Sequence, residues 1–180
     1  MMFSEPLSQY EEILKDAIRT SMKESGAKLA KIFQTLLIEI LTLYMILPRK
    51  INFTQMARYG KHGEQTYRQN FNRKKKDCID WLLLNLSLAR RVLDMDGLLA
   101  IAIDPCYISK AGKKTPHIGR FWSGCAGVVK HGLEIMSIGL LDVANNKCMM
   151  LRAHQTIGNS ALKMRNKTLV EYYISVMKRY

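Results

Sequence analysis

The carboxylate best placed to do chemistry is Asp104, which follows the apolar run Leu98–Ile103 and precedes Pro105. Because proline has no N–H to donate, Pro105 predicts the end of a regular strand, so we expect a buried strand with an acid at its tip. The segment that follows carries basic charges and no acid, and its basic residues are Lys110, Lys113, Lys114 and Arg120. The partner that approaches Asp104 is therefore expected to be strongly anionic.

An acid at a strand end that faces a basic loop suits a divalent metal held over a phosphodiester. Two such metals need oxygen ligands from several converging carboxylates, which Asp104 alone does not supply. A single aspartate in this position more often caps a loop, and the residues alone favour that role. Asp142 would lie ~20 Å away on an antiparallel neighbour, at about 3.3 Å per residue, and is expected to be a turn residue. Glu134 would lie nearer and is a candidate supporting residue.

Cysteine, histidine and aromatic side chains near Asp104 suggest two further interpretations. The candidate ligands of a zinc site are Cys106, His117, Cys125 and His131. Their spacings match no common zinc pattern, which argues against that site. Phe121 and Trp122 either stack on an exposed base or pack a loop onto the sheet, and both alternatives stay open.

A second constellation, in the segment 51–76, predicts two short helices joined by a turn. Asn52 is placed to cap the first helix and Gly60 to end it. The range Glu64–Arg73 can form the second helix, with Tyr67 and Phe71 on its packed side. This pattern resembles a helix-turn-helix, and the alternative is a solvated helical hairpin with ordinary surface charge.

The charge of this segment favours contact with DNA. Nine basic residues and one acidic residue lie between Arg49 and Lys76, and amide and hydroxyl side chains that bond base edges lie among them. The predicted DNA-binding residues, including those after Asp104, are Thr54, Gln55, Arg58, Lys61, Gln65, Thr66, Arg68, Gln69, Arg73, Lys74, Lys75, Lys76, Lys110, Lys113, Lys114 and Arg120.

Hydrophobic periodicity divides the chain into a helical part and an extended part. Helices are predicted from Ser4 or Ser8 to about Glu24, from about Ala27 to Met45, and over Trp81–Leu93, the last packed against the second helix. Turn residues at 94–97 predict a boundary between domains 1–96 and 97–180. Beyond it we expect strands at Leu98–Ile103, Leu133–Val143 and Lys147–Ala153, a hairpin turn at 144–146, a loop at 155–160 and a helix at Lys167–Tyr180. The first strand is apolar on both faces, which is typical of a central strand.

The composition fits a globular chain of 180 residues that binds a polyanion. Its net charge is +13 and 48% of its residues are hydrophobic. The four cysteines are far apart, which argues against a disulfide framework and fits a reducing cytoplasm. The N-terminus has no signal-peptide pattern, and the most apolar window falls short of the roughly 20 residues that a membrane span needs, so we expect a soluble protein with no membrane partner.

The run Asp104–Thr115, together with Phe121–Gly124, Lys130–Glu134 and the strand ending in Asp142, resembles the start of the catalytic domain of DDE-type transposases of bacterial insertion sequences. The segment 51–72 is similar to the DNA-binding region of the same proteins. The resemblance implies an α+β fold, an N-terminal all-helical DNA-binding module followed by an incomplete ribonuclease H-like β-β-β-α unit. It makes Asp104 the first acid of a metal-binding triad. It also implies Mg²⁺ or Mn²⁺ as cofactor, double-stranded DNA at the element ends as partner, strand cleavage and transfer as activity, and a cytoplasmic, nucleoid-associated location.

The chain departs from that family at its end. In these transposases the second catalytic Asp follows a fourth strand and the Glu comes later, so we expect this chain to be the N-terminal part of the enzyme, unable to hold the metal stably alone. A homo-oligomer or a complementing transposase chain would then be a partner. The truncation predicts an exposed apolar edge on the strand Leu98–Ile103. The alternative is a non-catalytic helix-turn-helix regulator or transposition inhibitor.

Overall fold

The computed structural model describes residues 4–48, 51–71, 79–112 and 115–178, with side chains from residue 9 onward. The chain divides into two compact units, Met1–Asp94 and Met95–Tyr180. The first unit is helical, and the second contains an antiparallel sheet with two helices, which confirms the predicted α+β class. Within the described residues, no helix is both long enough and apolar enough to cross a membrane.

Two long helices begin the first unit. Helix α1 covers Ser4–Ser25 and helix α2 covers Lys31–Ile46, close to the predicted bounds. Gly26 separates them with a φ of 70°, a left-handed conformation that glycine adopts without strain. The apolar repeat of α2 buries one stripe, as its spacing predicts, and the buried apolar residues are Phe33, Leu36, Leu37, Ile40 and Leu43.

Helix α3, Phe53–Tyr59, and helix α4, Glu64–Phe71, form the predicted pair. The Asn52 side chain accepts the N–H of Gln55 at 2.8 Å, so its capping role is confirmed. Met56 and Tyr67 are fully buried and pack against α2. The predicted extension of α4 to Arg73 lies outside the described residues.

Helix α5 covers Trp81–Ala89 and is capped by Asp80, whose carboxylate accepts the N–H groups of Leu82 and Leu83. Its buried Leu84 packs with residues of both α1 and α2, and α1 is its main neighbour, not α2 as expected. The prediction that α5 continues to Leu93 is wrong. The chain tightens after Ala89 into three-residue turns, which still bury Leu93.

The sheet of the second unit has four described strands, all antiparallel. They are β1 (Leu99–Ser109), β2 (Gly119–Ser123), β3 (Val128–Asp142) and β4 (Lys147–Gln155). Strand β3 lies at the centre, with β1 on one side and both β2 and β4 on the other. Helices α6 (Asn159–Met164) and α7 (Leu169–Met177) follow.

The prediction that Pro105 ends a buried central strand is wrong, because β1 continues to Ser109 and lies at the edge of the described sheet. The bond from Val143 N–H to Leu98 O, 3.0 Å, shows that even-numbered β1 residues direct their backbone groups towards β3. Odd-numbered residues direct them outward, so Pro105 removes no ladder bond. Ile101 is 56% exposed on this strand, in agreement with the expected apolar edge.

Three other sequence predictions of the second unit need correction. Strand β2 was not predicted, and β3 begins at Val128 instead of Leu133, because the two segments pair with each other as a hairpin. The predicted loop at 155–160 ends where α6 begins at Asn159. The last predicted helix is the shorter α7, which Thr168 and Glu171 cap reciprocally.

Candidate functional site

The two faces of the sheet differ in what covers them. Along β3 the even-numbered residues from Gly132 to Asp142 are buried, whereas the odd-numbered residues from Leu133 to Leu141 are half-buried. Met136 and Ile138 pack against residues of α6 and α7. We call the even-numbered side of β3 the helix-covered face and the odd-numbered side the open face, because successive side chains of a strand point to opposite faces.

Asp104 lies on the open face. It pairs directly with Ser137 of β3, and side chains of directly paired residues share a face. Asp104 is exposed. Its neighbours on this face are small, because Ala102 precedes it on the same side of β1 and Ala153 of β4 lies beyond Ser137. The carboxylate therefore stands at an accessible and sparsely filled place on the sheet.

The other two acidic residues of the sheet, Glu134 and Asp142, belong to the helix-covered face. Glu134 is 5% exposed and accepts a short hydrogen bond from the Tyr173 hydroxyl, so that burial and this carboxylate raise the pKa of Tyr173. This placement on the opposite face removes Glu134 as a neighbour of the Asp104 carboxylate.

The predicted turn role of Asp142 is confirmed. Asp142 is 1% exposed, and its carboxylate accepts the backbone N–H of Asn145 at 3.1 Å as well as that residue's side-chain amide. It pairs with Leu99, five residues from Asp104 along β1, as the antiparallel register predicts. Asp142 thus fixes the hairpin between β3 and β4.

A divalent metal needs several ligands, and the described part of the chain does not bring them together. In that part, no three His, Cys, Asp or Glu side chains cluster closely enough to hold a metal ion. The residues present therefore do not fit a complete two-metal site, and Asp104 offers one oxygen-donor group.

The predicted DNA-contacting side chains of α3 and α4 are mostly accessible. The exposed residues are Thr54, Arg58, Lys61, Gln65, Arg68 and Gln69, whereas Gln55 and Thr66 are half-buried. Glu64 engages two of the exposed residues, since it accepts the Thr54 hydroxyl at 3.1 Å and forms an ion pair with Arg68. These two bonds hold the pKa of Glu64 below its usual value. The residues left to meet a ligand are thus chiefly Arg58, Lys61 and the two glutamines of α4.

Glu39 of α2 anchors the turn between α3 and α4, a role that sequence analysis missed. Its side chain is 11% exposed and accepts the Lys61 N–H at 2.5 Å, a bond from His62 Nδ1 at 2.8 Å and a short bond from the Tyr67 hydroxyl. Burial raises the pKa of Glu39, but these hydrogen bonds outweigh burial, so the pKa lies below its usual value. Burial and the Glu39 carboxylate raise the pKa of Tyr67 to about 12. The available signal was a lone acid in an apolar helix.

The predicted basic residues around the sheet are described in part. Lys110 and Arg120 are exposed, and Arg120 pairs with His131 of β3, which places both on the open face. Residues 73–76 and Lys113 and Lys114 lie outside the described residues.

Phe121 and Trp122 differ in burial, and the packing alternative is confirmed for Phe121. Phe121 is 4% exposed and belongs to the packed side of β2, whereas Trp122 is 60% exposed. Trp122 pairs with Val129, an odd-numbered residue of β3, and so shares the open face with Asp104.

A family model described as "DDE superfamily endonuclease" matches residues 30–164, three quarters of the chain. The match begins just before α2 and ends with α6, so that it includes the α3–α4 pair and all four strands. No curated protein and no solved structure matches the chain.

Proposed function

The chain belongs to the DDE superfamily of endonucleases, and on that premise we propose that it acts in DNA transposition, as a transposase chain that binds the ends of a mobile element. Members of this superfamily generally depend on divalent metal ions and act on DNA. The observation that carries the proposal is the match over residues 30–164, which includes both Asp104 and the α3–α4 pair.

In this proposal helices α3 and α4 are a helix-turn-helix that binds the duplex. Gln65 and Gln69 lie four residues apart on the exposed side of α4, a spacing that lets both reach one groove and bond base edges. Arg58 and Lys61 are exposed beside the turn and would contact phosphates. Arg68 contributes less, because Glu64 neutralises its charge.

Asp104 is the proposed metal-binding residue of the nuclease site. Its carboxylate is exposed on the open face, where it could bind a Mg²⁺ or Mn²⁺ ion. The bound ion would supply the Lewis acid for strand cleavage. The remaining carboxylates would come from polypeptide other than the described residues. We further propose that β1, β3 and β4, together with the helices α6 and α7 that follow β4, form the first part of a ribonuclease H-like domain.

Binding to DNA can be measured by fluorescence anisotropy with a labelled duplex from the borders of the coding region, against a scrambled duplex of equal length. Gln65→Ala and Gln69→Ala are each expected to lower the affinity for the border duplex by about 5- to 100-fold and to leave that for the scrambled duplex nearly unchanged. Lys61→Gln should weaken both and reduce the salt slope by about 1. Lys163→Gln, an exposed change on α6 outside the proposed interface, is the matched control.

Equal affinity of all variants for the border duplex would refute the α3–α4 assignment. The metal assignment needs a second measurement, cleavage of supercoiled DNA in Mg²⁺ or Mn²⁺. Cleavage by the wild-type chain that persists in Asp104→Ala would refute the role of Asp104. Specific binding without cleavage in either protein is the expected result, because the described residues do not complete a two-metal site. The alternative function, a DNA-binding regulator or transposition inhibitor, predicts the same result, so this assay tests only the role of Asp104.

A further inference from the structure

The hairpin of β2 and β3 projects an aromatic side chain on the open face. A short 3₁₀ turn at Gly124–Ala126, followed by Gly127 with a φ of 62°, joins the two strands. Trp122 is 60% exposed, although tryptophan is among the largest apolar side chains. It therefore leaves a flat aromatic surface available for a partner.

Packing and a hydrogen bond hold the backbone at the root of this hairpin. Phe121, its neighbour in sequence, is buried on the helix-covered side. Gly132 lets the Tyr107 ring approach so closely that an added Cβ would lie 2.7 Å from a ring carbon. The Tyr107 hydroxyl then donates to the His131 carbonyl at 2.8 Å, which braces β1 against β3.

The sequence on both sides of Trp122 carries formal charge of one sign. The sequence from Pro105 to Leu133 contains five basic residues and no acidic residue. Arg120 lies two residues before Trp122 on the same side of β2, and His131 is its partner across the ladder. In the described part of the chain Arg120 forms no ion pair, so its guanidinium is available to an anion.

We propose that the open face of the β2–β3 hairpin binds single-stranded DNA, with an unpaired base stacked on Trp122 and the adjacent phosphate bonded by Arg120. Aromatic stacking beside fixed positive charge is how proteins hold unpaired nucleotides without sequence preference. A protein partner fits less well, because interface centres are depleted of lysine and this region carries several basic side chains with no acid.

The position of this patch suits DNA that also reaches Asp104. Along β3, His131 lies six residues from Ser137, the partner of Asp104, which is about 20 Å at about 3.4 Å per residue. Both lie on the open face. The inference deepens the proposed function, on which it rests, by naming unpaired nucleotides as a feature of the DNA that this chain holds.

The test measures the affinity of the full chain for a labelled dT12 strand and for a border duplex without unpaired ends. Trp122→Ala is expected to lower the affinity for dT12 by about 5- to 100-fold and that for the duplex by less than twofold. Trp122→Phe should retain most of the affinity, because a phenyl ring still stacks. Trp81→Ala is the matched control, since Trp81 is the other tryptophan, 41% exposed on α5.

Stacking has a spectroscopic signature that a structural role of Trp122 would not produce. In a Trp81→Phe chain, dT12 should quench the remaining tryptophan fluorescence at the concentrations that saturate binding. An affinity for dT12 that stays within twofold in Trp122→Ala would overturn the proposal, as would equal losses in Trp122→Ala and Trp81→Ala. A wild-type chain that binds dT12 but does not bind the border duplex would instead count against the proposed function alone.

Discussion

Replacing Glu39 should loosen the α3–α4 turn from α2 and destabilise the first unit. The Glu39 carboxylate accepts hydrogen bonds from the Lys61 N–H, from His62 and from the Tyr67 hydroxyl. Of these donors, Tyr67 is fully buried and the other two residues are exposed. Water can replace the carboxylate at the exposed donors but not at the buried hydroxyl.

The expected magnitude follows from that difference. Leaving the buried Tyr67 hydroxyl without its acceptor costs about 1–3 kcal/mol, and the two exposed donors add about 0.5 kcal/mol each. Glu39→Ala should therefore lower the free energy of unfolding by about 2–4 kcal/mol. Glu39→Gln keeps an acceptor oxygen and should cost less, about 1–2 kcal/mol.

The pH dependence provides a second signature. Because the folded pKa of Glu39 lies below its ordinary value of 4.5, its contribution to stability is present above pH 4.5 and is lost as the pH falls through the folded pKa. The stability difference between wild type and Glu39→Gln should therefore be largest at neutral pH and should shrink below pH 4.5.

Urea titration with Trp81 fluorescence, in a Trp122→Phe background, reports on the first unit by itself. Glu64→Gln is the matched control, because the Glu64 ion pair with Arg68 joins two exposed side chains within one helix. A Glu39→Ala loss below about 0.5 kcal/mol, or one no larger than that of Glu64→Gln, would refute the anchoring role.

Three further predictions concern stability. Gly60→Ala places a Cβ 2.7 Å from the Met56 carbonyl and should cost about 1–3 kcal/mol in urea titration, whereas Gly63→Ala, with no atom within 4 Å, should change stability by less than about 1 kcal/mol. The pKa of Tyr173 is raised in the folded chain, so the contribution of Tyr173 to folding stability is present below pH 10 and is lost as the pH rises through the folded pKa. Tyr173→Phe should therefore reduce the loss of stability at alkaline pH, measured by Trp122 fluorescence. Thr42 is 8% exposed and its hydroxyl has no partner among the described residues, so Thr42→Val should leave the thermal midpoint unchanged or raise stability by up to about 1 kcal/mol.

Local patterns predicted most of the helical unit, because α2 carries a buried apolar stripe and α3 has a side-chain cap. Asn52 and Gly60 lie where the structure begins and ends α3. The tertiary role of Glu39 was not predictable from such signals, since its donors lie more than twenty residues away, in the α3–α4 turn and on α4. A lone acid in an apolar helix indicates a buried partner without identifying it.

Strand positions were harder to predict, because they depend on pairing between distant segments. Pro105 ends a strand only if its backbone nitrogen faces a neighbouring strand. Here the nitrogen faces outward, and this depends on the pairing register with β3. Strand β2 is five residues long and forms only against the start of β3, so neither segment signals a strand alone. The transposase family resemblance, by contrast, is confirmed by the family match.

The parity of the ladder explains why Asp104 is the one sheet acid suited to the proposed chemistry. Residues that share a face of β3 are separated by even numbers, and Ser137, the partner of Asp104, is separated from Glu134 and Asp142 by three and five residues. A one-residue slip of β1 would put Asp104 on the helix-covered face beside the core. The register therefore keeps its carboxylate away from the buried hydroxyl and amide donors that bind the other two acids. Its small neighbours Ala102 and Ala153 leave the space that a phosphodiester would need.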